Sequence, residues 1–570
     1  MNSFQDKANF IWQVADDILR GSFKAHEYGD VTLPFVVLRR LDCVLEPVKD
    51  KVIESYNKFK AVLEDPSPVI LQSTGGLKFY NTSHFDLQKL SQDAKNIEIN
   101  FNNYISGFSP NVSEILENFQ IDKIISKLAK NDLLFMLVDK FTEIDLHPDK
   151  VSNHEMGYIF EELLRRFSEM SNETAGEHYT PREVIRLMVN LLFAEHHEEL
   201  KGKGIVRTVF DPACGTGGML TIAKEYITQN INPDIEIVIY GQELNPQTYA
   251  IAKADVLIMG EDADNIRDGS SFREDKFKGF RFNFMLSNPP FGVSWKKEED
   301  FIRKESENPN GRFHAGLPRV SDGALLFLQH MISKMEPSGS RIAIIFNGSP
   351  LFTGDAGSGE SNIRKWIIEN DWLEAIIALP TELFYNTGIA TYIWIVTNNK
   401  PSRRKGKVQL INAVDYYKKM RKSLGNKRNY IENDQIKEIT QIYTRFKECE
   451  NCKIFDNEDF GYTKVTVERP LLENGKIVKD PYKKPKPDPS LRDYEKVPLK
   501  EDIDEYFERE VKPHLPDTWM DRSKDKVGYE INFTKYFYKY QPLRSLDKIK
   551  ADILTLEKET EGLLKDILGL

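Results

Sequence analysis

The chain has 570 residues, enough for two or three domains with cores of their own. With 40% hydrophobic and 29% charged residues, the chain is expected to be neither disordered nor membrane-embedded. Its net charge of −10 argues against binding a DNA duplex without a partner protein. Four cysteines, and an N-terminus without a signal peptide's basic start and apolar core, predict a cytoplasmic protein. Cys449 and Cys452 form a CxxC pair with no second pair nearby, so no metal site is expected.

Residues 1 to 150 have the pattern of a helical domain. Ile11, Val14, Ile18 and Leu19 share one face of the first helix. A second helix is predicted to begin near Pro34, because proline is favoured in a first turn. Nothing in this region points to chemistry, so we interpret it as a helical bundle.

A different pattern begins at Gly157, where a helix ending near Phe167 precedes the segment from Glu177 to Arg182. Thr180 and Pro181 are the residue types of an N-cap and a first turn, so a second helix is predicted to start there. Free N–H groups at a helix start bind anions, which makes this start a candidate site for a carboxylate or a phosphate. The same residues also fit an ordinary cap.

A Gly-rich turn follows the first predicted strand. Apolar residues 205 to 210 lead directly into Asp211-Pro-Ala-Cys-Gly-Thr-Gly-Gly218. Glycines at a strand-to-helix turn let a ligand approach the backbone closely. The turn lacks the Lys-Ser/Thr ending of a P-loop and the full GxGxxG spacing of dinucleotide sites. Asp211 at the mouth of the turn therefore predicts binding of a cationic amino group rather than a diphosphate.

Two further acids follow the ends of later strands. Glu243 comes after the strand at 235 to 240, where an acid commonly accepts hydrogen bonds from ribose hydroxyls. Asp268 follows a third strand and is predicted to meet the amine of an adenine base. Each acid alone is more often a solvated loop residue, but three around one Gly-rich turn favour a nucleoside ligand. The ligand that joins an amino acid to adenosine is S-adenosylmethionine, with Asp211 and the helix start at its amino-acid end.

The methyl acceptor is predicted at Ser287-Asn-Pro-Pro-Phe-Gly292, after a short apolar strand at 282 to 286. Asn288 offers a side-chain carbonyl, and Pro289 offers a main-chain carbonyl whose direction the ring fixes. Two acceptors facing one small volume suit an exocyclic amine, because drawing its nitrogen towards tetrahedral geometry frees the lone pair for attack. Phe291 offers a face for stacking. By itself the segment also fits a Pro-Pro turn after a strand.

Alternating helices and strands then continue the predicted doubly wound α/β sheet. The predicted elements are a helix at 324–335, a strand at 342–346, a helix from 361, and strands at 373–379 and 391–397, the last two side by side. The Gly-rich stretch at 353 to 360 lacks the P-loop lysine and is predicted to be a mobile loop.

Three C-terminal segments differ in composition. The stretch from 416 to 430 is rich in lysine, arginine and tyrosine, and a solvated face is the favoured interpretation. Residues 483 to 489 are a Pro-Lys linker. Beyond them a heptad seam, interrupted by Thr560, predicts either a coiled coil with a partner or a helix packed on its own domain. The seam residues are Leu546, Ile549, Ile553, Leu556, Leu563, Ile567 and Leu570.

In their order along the chain, these motifs resemble those of the N6-adenine DNA methyltransferases, in particular the modification subunit of type I restriction–modification systems. The resemblance covers about residues 5 to 400 and includes the helical N-terminal part and Leu379-Pro-Thr-Glu-Leu-Phe-Tyr-Asn-Thr-Gly388. One departure is Asp268-Gly269, since the family more often has glycine before the aspartate. This departure concerns Asp268, the residue assigned to the adenine base.

The resemblance implies a Rossmann-like doubly wound methyltransferase domain at 151–475. An N-terminal helical domain at 1–150 precedes it, and a linker with a C-terminal helical tail for assembly follows at 476–570. The catalytic residues are then Asn288, Pro289, Pro290 and Phe291. The cofactor-binding residues, from the strand ends and the family motifs together, are Glu177, His178, Tyr179, Thr180, Pro181, Arg182, Asp211, Ala213, Gly215, Thr216, Gly217, Gly218, Glu243 and Asp268.

The resemblance also implies partners: DNA, one specificity subunit that binds two copies of this chain and reads the sequence, and a restriction subunit that joins them. The acidic charge agrees with this division of labour. A solitary adenine methyltransferase is one alternative, against which the lack of a separate target-reading domain counts. The others are a methyltransferase for a protein or RNA amine or amide, and a non-catalytic assembly subunit, against which the intact loop and Gly-rich turn count.

Overall fold

The computed structural model describes residues 4–171, 180–195, 200–385, 387–482, 484–538 and 545–568. It contains two compact units, Met1–Ile531 and Asn532–Leu570. Within the described residues, no helix has both the length and the apolar content needed to cross a bilayer.

The N-terminal region is helical, as its sequence predicts. Its helices are α1 Phe4–Leu19, α2 Tyr28–Leu45, α3 Lys49–Phe59, α4 Ser67–Gln72, α5 Leu87–Leu90, α6 Ile97–Ser106, α7 Pro110–Asn118, α8 Ile121–Lys130 and α9 Leu134–Thr142. The predicted start of α2 at Pro34 is wrong, because Pro34 lies inside this helix and a short 3₁₀ turn at Ala25–Glu27 leads into it. Almost every side chain of α2 is buried, since the other helices surround it.

The remaining helices are α10 Asn153–Ser171, α11 Arg182–Phe193, α12 Gly218–Asn230, α13 Pro246–Ile258, α14 Glu299–Ser306, α15 Ala324–Ser333, α16 Ser349–Phe352, α17 Gly359–Glu369, α18 Asn433–Arg445, α19 Ile503–Tyr506, α20 Phe533–Phe537 and α21 Leu546–Leu568. The strands are β1 Val206–Asp211, β2 Glu236–Glu243, β3 Ile266–Asp268, β4 Phe284–Ser287, β5 Arg341–Asn347, β6 Leu373–Ala378, β7 Thr391–Thr397, β8 Lys407–Asn412, β9 Lys418–Leu424, β10 Lys427–Tyr430, β11 Cys452–Asp456, β12 Gly461–Glu468, β13 Leu472–Glu473, β14 Lys476–Ile477, β15 Asp493–Pro498 and β16 Trp519–Tyr529.

Nine strands form one sheet in the order β11-β8-β6-β7-β5-β4-β1-β2-β3. Strands β3, β2, β1, β4 and β5 are parallel, whereas β7 runs antiparallel between β5 and β6. Central strands such as β5 and β6 are buried along nearly their whole length, which explains their continuous apolar runs. The predicted Rossmann-like doubly wound fold is confirmed, as is the position of β7 beside β6.

The sheet has its topological switch point at β1. After β1 the chain moves outward through β2 and β3, and then returns to place β4 on the other side of β1. Open α/β sheets bind ligands in the crevice at the carboxyl ends of the strands beside such a point. The helical region adjoins this part of the fold, because its core continues into α13 through Ala250, Ile251 and Leu257.

Strands follow the predicted linker at 483–489 and precede the tail helix. β15 and β16 pair antiparallel on either side of β12, so residues 493–498 and 519–529 form ordered structure. These strands gave no strand signal in the sequence, because both are rich in charged residues and few of their side chains are buried. The loop before α17 is also held: Arg364 donates hydrogen bonds to the carbonyls of Pro350, Thr353 and Gly354.

The second compact unit contains α20 and α21. The predicted tail helix is present as α21, Leu546–Leu568. The side chains of Leu563 and Ile567, and the whole of Leu570, lie outside the described part of the chain.

Candidate active site

Asp211 joins the two strands that flank the crevice. It ends β1, and its Oδ1 accepts hydrogen bonds from the Ser287 hydroxyl at 2.8 Å and the Ala213 N–H at 2.9 Å. Ser287 ends β4, so these bonds fix the Gly-rich turn and the Asn288 loop relative to each other. Asp211 is 1% exposed, and burial raises its pKa to about 7 despite both hydrogen bonds, with the nearby Glu243 adding to the shift.

The Gly-rich turn takes backbone conformations that glycine favours. Gly215 has φ of +54° and Gly217 has φ of +80°, both in the left-handed region. A Cβ at Gly215 would meet no atom within 4 Å, so the backbone angle rather than crowding explains the glycine there. α12 begins at Gly218 directly after the turn, which brings the N–H groups of a helix start to the crevice.

The Glu243 carboxylate is held by backbone donors. Its Oε2 accepts from the Gly215 N–H and its Oε1 from the Asn245 N–H, both at 2.8 Å. Glu243 lies directly beside Asp268 in the register of β2 and β3, and Asp268 is exposed. The three predicted acids therefore end three neighbouring strands, which gives the crevice one acidic side.

Asn288 is held by Thr180. Its Nδ2 donates to Thr180 Oγ1 at 2.8 Å, and the residue is 9% exposed. Because this bond engages the amide nitrogen, it sets the direction of the side-chain carbonyl, the acceptor that the sequence analysis assigned to an amine. Phe291 is 8% exposed and lies edge-to-face with Phe384, with ring centroids 6.4 Å apart.

The segment before α11 differs in detail from its prediction. The helix begins at Arg182, and the N-cap residue is Pro181, whose carbonyl accepts from the N–H of Val184 at 2.9 Å. The prediction of Thr180 as N-cap is wrong by one residue. Pro181 is the N-cap because its ψ of 141° is not helical, whereas its carbonyl accepts the first hydrogen bond of the helix. This shift leaves the Thr180 hydroxyl to Asn288. Glu177, His178 and Tyr179 lie outside the described residues.

Arg182 lies beneath the Gly-rich turn rather than at the surface. Its side chain is 3% exposed, and its Nε donates to Glu161 Oε1 of α10 at 3.1 Å. Burial raises the pKa of Glu161 to about 7, although the guanidinium opposes that shift. The guanidinium leaves no room for a side chain at Gly157, where a Cβ would overlap it. This pair connects α10 to the start of α11.

Four residues of this arrangement were absent from the predicted set: Ser287, Gln242, Phe384 and Glu161. Gln242 is buried, and its Nε2 donates to the carbonyls of Gly269 at 3.1 Å and Glu274 at 2.9 Å, which holds the loop that follows Asp268. Phe384 belongs to a motif that the sequence analysis noted, so its aromatic type was an available signal. Gln242 and Glu161 gave none, because their roles depend on tertiary contacts alone.

The donor set fits S-adenosylmethionine. Carboxylates at the ends of β1 and β2 are acceptors for a cationic amino group and for hydroxyls, and the exposed Asp268 at the end of β3 is an acceptor for an adenine amine. The helix start at Gly218 supplies N–H groups for a carboxylate. Ser287 and Asn288 adjoin this set, so a methyl donor and an amine acceptor have neighbouring binding groups.

Two protein-family models match successive parts of the chain. Residues 151–467 match the model of the N-6 DNA Methylase family, and residues 7–141 match the HsdM N-terminal domain. The type I restriction enzyme MjaIX methylase subunit of Methanocaldococcus jannaschii is 29% identical over 495 residues, which cover 82% of each chain. The HindI methylase subunit of Haemophilus influenzae is 32% identical over 259 residues, or 45% of this chain and 54% of that subunit.

Solved structures agree on the fold. The crystal structure of a type I restriction–modification methyltransferase subunit from Streptococcus thermophilus has a TM-score of 0.61 at 22% identity, covering 80% of this chain and 97% of that one. A chain from a structural study of type I complex assembly has a TM-score of 0.52 at 18% identity, covering 100% of this chain and 98% of that one.

Proposed function

Because this chain belongs to the N-6 DNA methylase family, we propose that its crevice transfers a methyl group from S-adenosylmethionine to N6 of adenine in DNA. We assign it the role of the modification subunit of a type I restriction–modification system. The observation that carries this assignment is the hydrogen-bonded path across the switch point: Asp211 holds Ser287, and the next residue, Asn288, is held by Thr180. Donor-binding and acceptor-binding groups are thereby fixed relative to each other.

On the donor side, S-adenosylmethionine supplies an electrophilic methyl group on a sulfonium. Asp211 is assigned to its amino group, Glu243 to the ribose and Asp268 to the base, while N–H groups of the Gly-rich turn and of the start of α12 would hold its carboxylate. Glu243 is kept in position by Gly215 and Asn245, so it needs little rearrangement to bind. We propose Arg182 as a supporting residue for the turn, because its side chain is buried against Glu161.

On the acceptor side, the Asn288 and Pro289 carbonyls receive the two N–H groups of the target amine. These hydrogen bonds strengthen as the nitrogen becomes cationic, so they stabilise the transition state more than the ground state. No base is required at the attack, since the proton leaves afterwards. Extracting the adenine from the duplex costs a few kcal/mol, and stacking on Phe291 returns about 1–3 kcal/mol. We propose that the buried Phe384, which lies edge-to-face with Phe291, supports the Phe291 ring from behind.

The proposal includes partners. An acidic chain needs help to hold DNA, so we assign sequence reading to a specificity subunit that binds two copies of this chain, and we allow for a restriction subunit. The tail helix α21 is proposed as a contact with the specificity subunit. A DNA substrate places the complex in the cytoplasm. The division at 1–150, 151–475 and 476–570 remains our functional proposal, with β15 and β16 included in its last part.

The test is transfer of a radiolabelled methyl group to duplex DNA by the purified chain, with and without the specificity subunit. We expect N6-methyladenine only with both proteins present. Asn288→Ala should lower the rate at least about a hundredfold and leave donor affinity, measured by calorimetry, within about twofold. Methylation by the chain alone would support a solitary enzyme instead. Near-wild-type turnover by Asn288→Ala would refute the assigned loop.

A further inference from the structure

The hairpin formed by β9 and β10 is a basic segment that the mechanism leaves unused. Residues 418 to 430 read KKMRKSLGNKRNY, with six lysines and arginines and no acid, in a chain whose net charge is −10. Among the residues that the structure describes, the two strands pair only with each other and form a separate two-stranded sheet. An isolated hairpin is marginally stable in water, so something else in the molecule must hold it.

The turn of the hairpin and β10 are fixed to the loop after β6 and to α11. The buried Lys427 forms an ion pair with Glu183 and donates to the carbonyl of Leu383 at 2.9 Å. Asn429 Nδ2 donates to the Thr381 carbonyl at 3.0 Å, and the Asn426 N–H donates to the Tyr385 carbonyl at 2.7 Å. These contacts involve the turn and β10, and they leave most of β9 exposed to solvent.

Both anchors belong to segments that form the acceptor side of the crevice. The loop from 381 to 385 carries Phe384, whose ring lies against Phe291. Glu183 is in the first turn of α11, three residues after Thr180, which holds Asn288. The hairpin is therefore attached beside the place assigned to the target adenine, on the side of β4 away from the acids of β1, β2 and β3.

The outer cations divide into paired and unpaired groups. Lys418 pairs with Glu432 at 2.8 Å, and Arg428 approaches Glu382 at 3.6 Å. By contrast, in the part of the chain that the structure describes, no ion pair within 4.0 Å involves the exposed Lys419, Arg421 or Lys422. The register of the two strands shifts between Lys427 and Asn429, so Arg421 and Lys422 lie in a bulged part of β9, next to Lys419. Three exposed, unpaired cations this close together match neighbouring phosphates of a DNA backbone.

We propose that the hairpin at 418–430 binds the DNA backbone beside the target adenine, with Lys419, Arg421 and Lys422 on phosphates. This inference rests on the proposed DNA substrate and adds a second contact region to it. Contacts of this kind carry no sequence information but fix the position of the duplex. They strengthen binding where the duplex must be opened, which offsets part of the unstacking free energy.

The test compares two triple variants in the complex with the specificity subunit. Lys419→Gln/Arg421→Gln/Lys422→Gln removes the proposed contacts. The control, Lys203→Gln/Arg207→Gln/Lys405→Gln, removes the same charge before β1, within β1 and before β8, at the amino ends of these strands and away from the crevice at the carboxyl ends. Each lost phosphate contact should reduce the slope of log affinity against log salt by about 0.9 and lower affinity up to about eightfold at 0.1 M salt. The hairpin variant should therefore lose about 2.7 in slope, and the control close to none.

Fluorescence anisotropy with target and non-target duplexes measures both the affinity and its salt slope. The loss of affinity should be equal for the two sequences. Donor affinity and the methylation rate at saturating DNA should match the wild type. An unchanged salt slope, or the same loss in the control, would overturn the proposal. Loss of the specificity subunit in size-exclusion chromatography would overturn it too, by showing that the hairpin binds protein.

Two further observations keep the result clear. The single variant Arg421→Gln, which leaves all the anchoring contacts in place, should reduce the slope by about 0.9; an unchanged slope would count against the hairpin even if the triple variant misfolded. If the wild-type complex bound no DNA at all, the proposed function would fail. If the wild-type complex methylates DNA but the hairpin variants keep the wild-type salt slope, only the hairpin inference is refuted.

Discussion

Replacing Thr180 with valine tests whether Asn288 acts through a fixed orientation. Valine has nearly the same shape as threonine but offers no acceptor to the Asn288 amide, which now donates to Thr180 Oγ1 at 2.8 Å. Because Asn288 is only 9% exposed, water cannot easily replace this bond. Leaving a buried N–H unsatisfied costs about 1–3 kcal/mol, and the amide can avoid that loss only by turning its carbonyl away from the acceptor site.

If losing this hydrogen bond raises the activation free energy of methyl transfer by that amount, Thr180→Val should methylate DNA about 5- to 150-fold more slowly. The assay is single-turnover methylation at saturating donor and DNA, with calorimetry of donor binding in parallel. Thr180→Ser keeps the hydroxyl and should remain near the wild-type rate. A wild-type rate in the valine variant would refute the orienting role. Weaker donor binding with an unchanged rate would instead support Thr180 as a cofactor contact.

Two other predictions concern buried charge. The pKa of Asp211 lies at about 7 rather than its ordinary 3.8, and a cationic amino group requires the ionised carboxylate. Donor affinity should therefore fall about tenfold per pH unit below about 7 and level off above it, while Asp211→Asn should bind weakly at every pH; a flat wild-type profile in calorimetry would exclude this contact. Arg341 and Glu374 form a fully buried ion pair at 3.0 Å. Arg341→Met should lower the free energy of unfolding by about 3–5 kcal/mol in denaturant titrations, and adding Glu374→Leu should recover at least half, because no unpaired charge then remains; a double variant no more stable than the single one would contradict this reasoning.

The main strands and the acids at their ends could be predicted from sequence for a physical reason. A strand buried on both faces requires a continuous apolar run, and the chain must turn where that run stops, so β1, β2 and β4 and their following loops are visible in the sequence. The resemblance to N6-adenine methyltransferases then added roles for those loops. Predicted helix starts deviated, by one residue at Pro181 and by six at α2, because a helix start depends on backbone angles that several residue types allow.

What sequence could not show is which distant side chains meet. Arg364 donates to the carbonyl of Tyr529, 165 residues away, and thereby attaches β16 to the Gly-rich loop that composition presented as mobile. Lys427 was one cation among six in a basic stretch, yet it is buried against Glu183 while its neighbours remain exposed. Neither fact follows from local pattern, because a buried arginine or lysine has the same sequence signature as a solvated one.

The order of strands separates the two kinds of charge that the reaction needs. Asp211, Glu243 and Asp268 end β1, β2 and β3 on one side of β4, whereas the basic hairpin is anchored beyond β6 on the other side. On the proposed assignments, a cationic donor binds on the first side and a polyanionic duplex on the second, with the Asn288 loop after β4 between them. Salt at physiological concentration screens exposed charges beyond about 8 Å, so each group acts mainly on its own ligand. An acidic chain can thus hold a cationic donor strongly and still present a local basic surface to DNA.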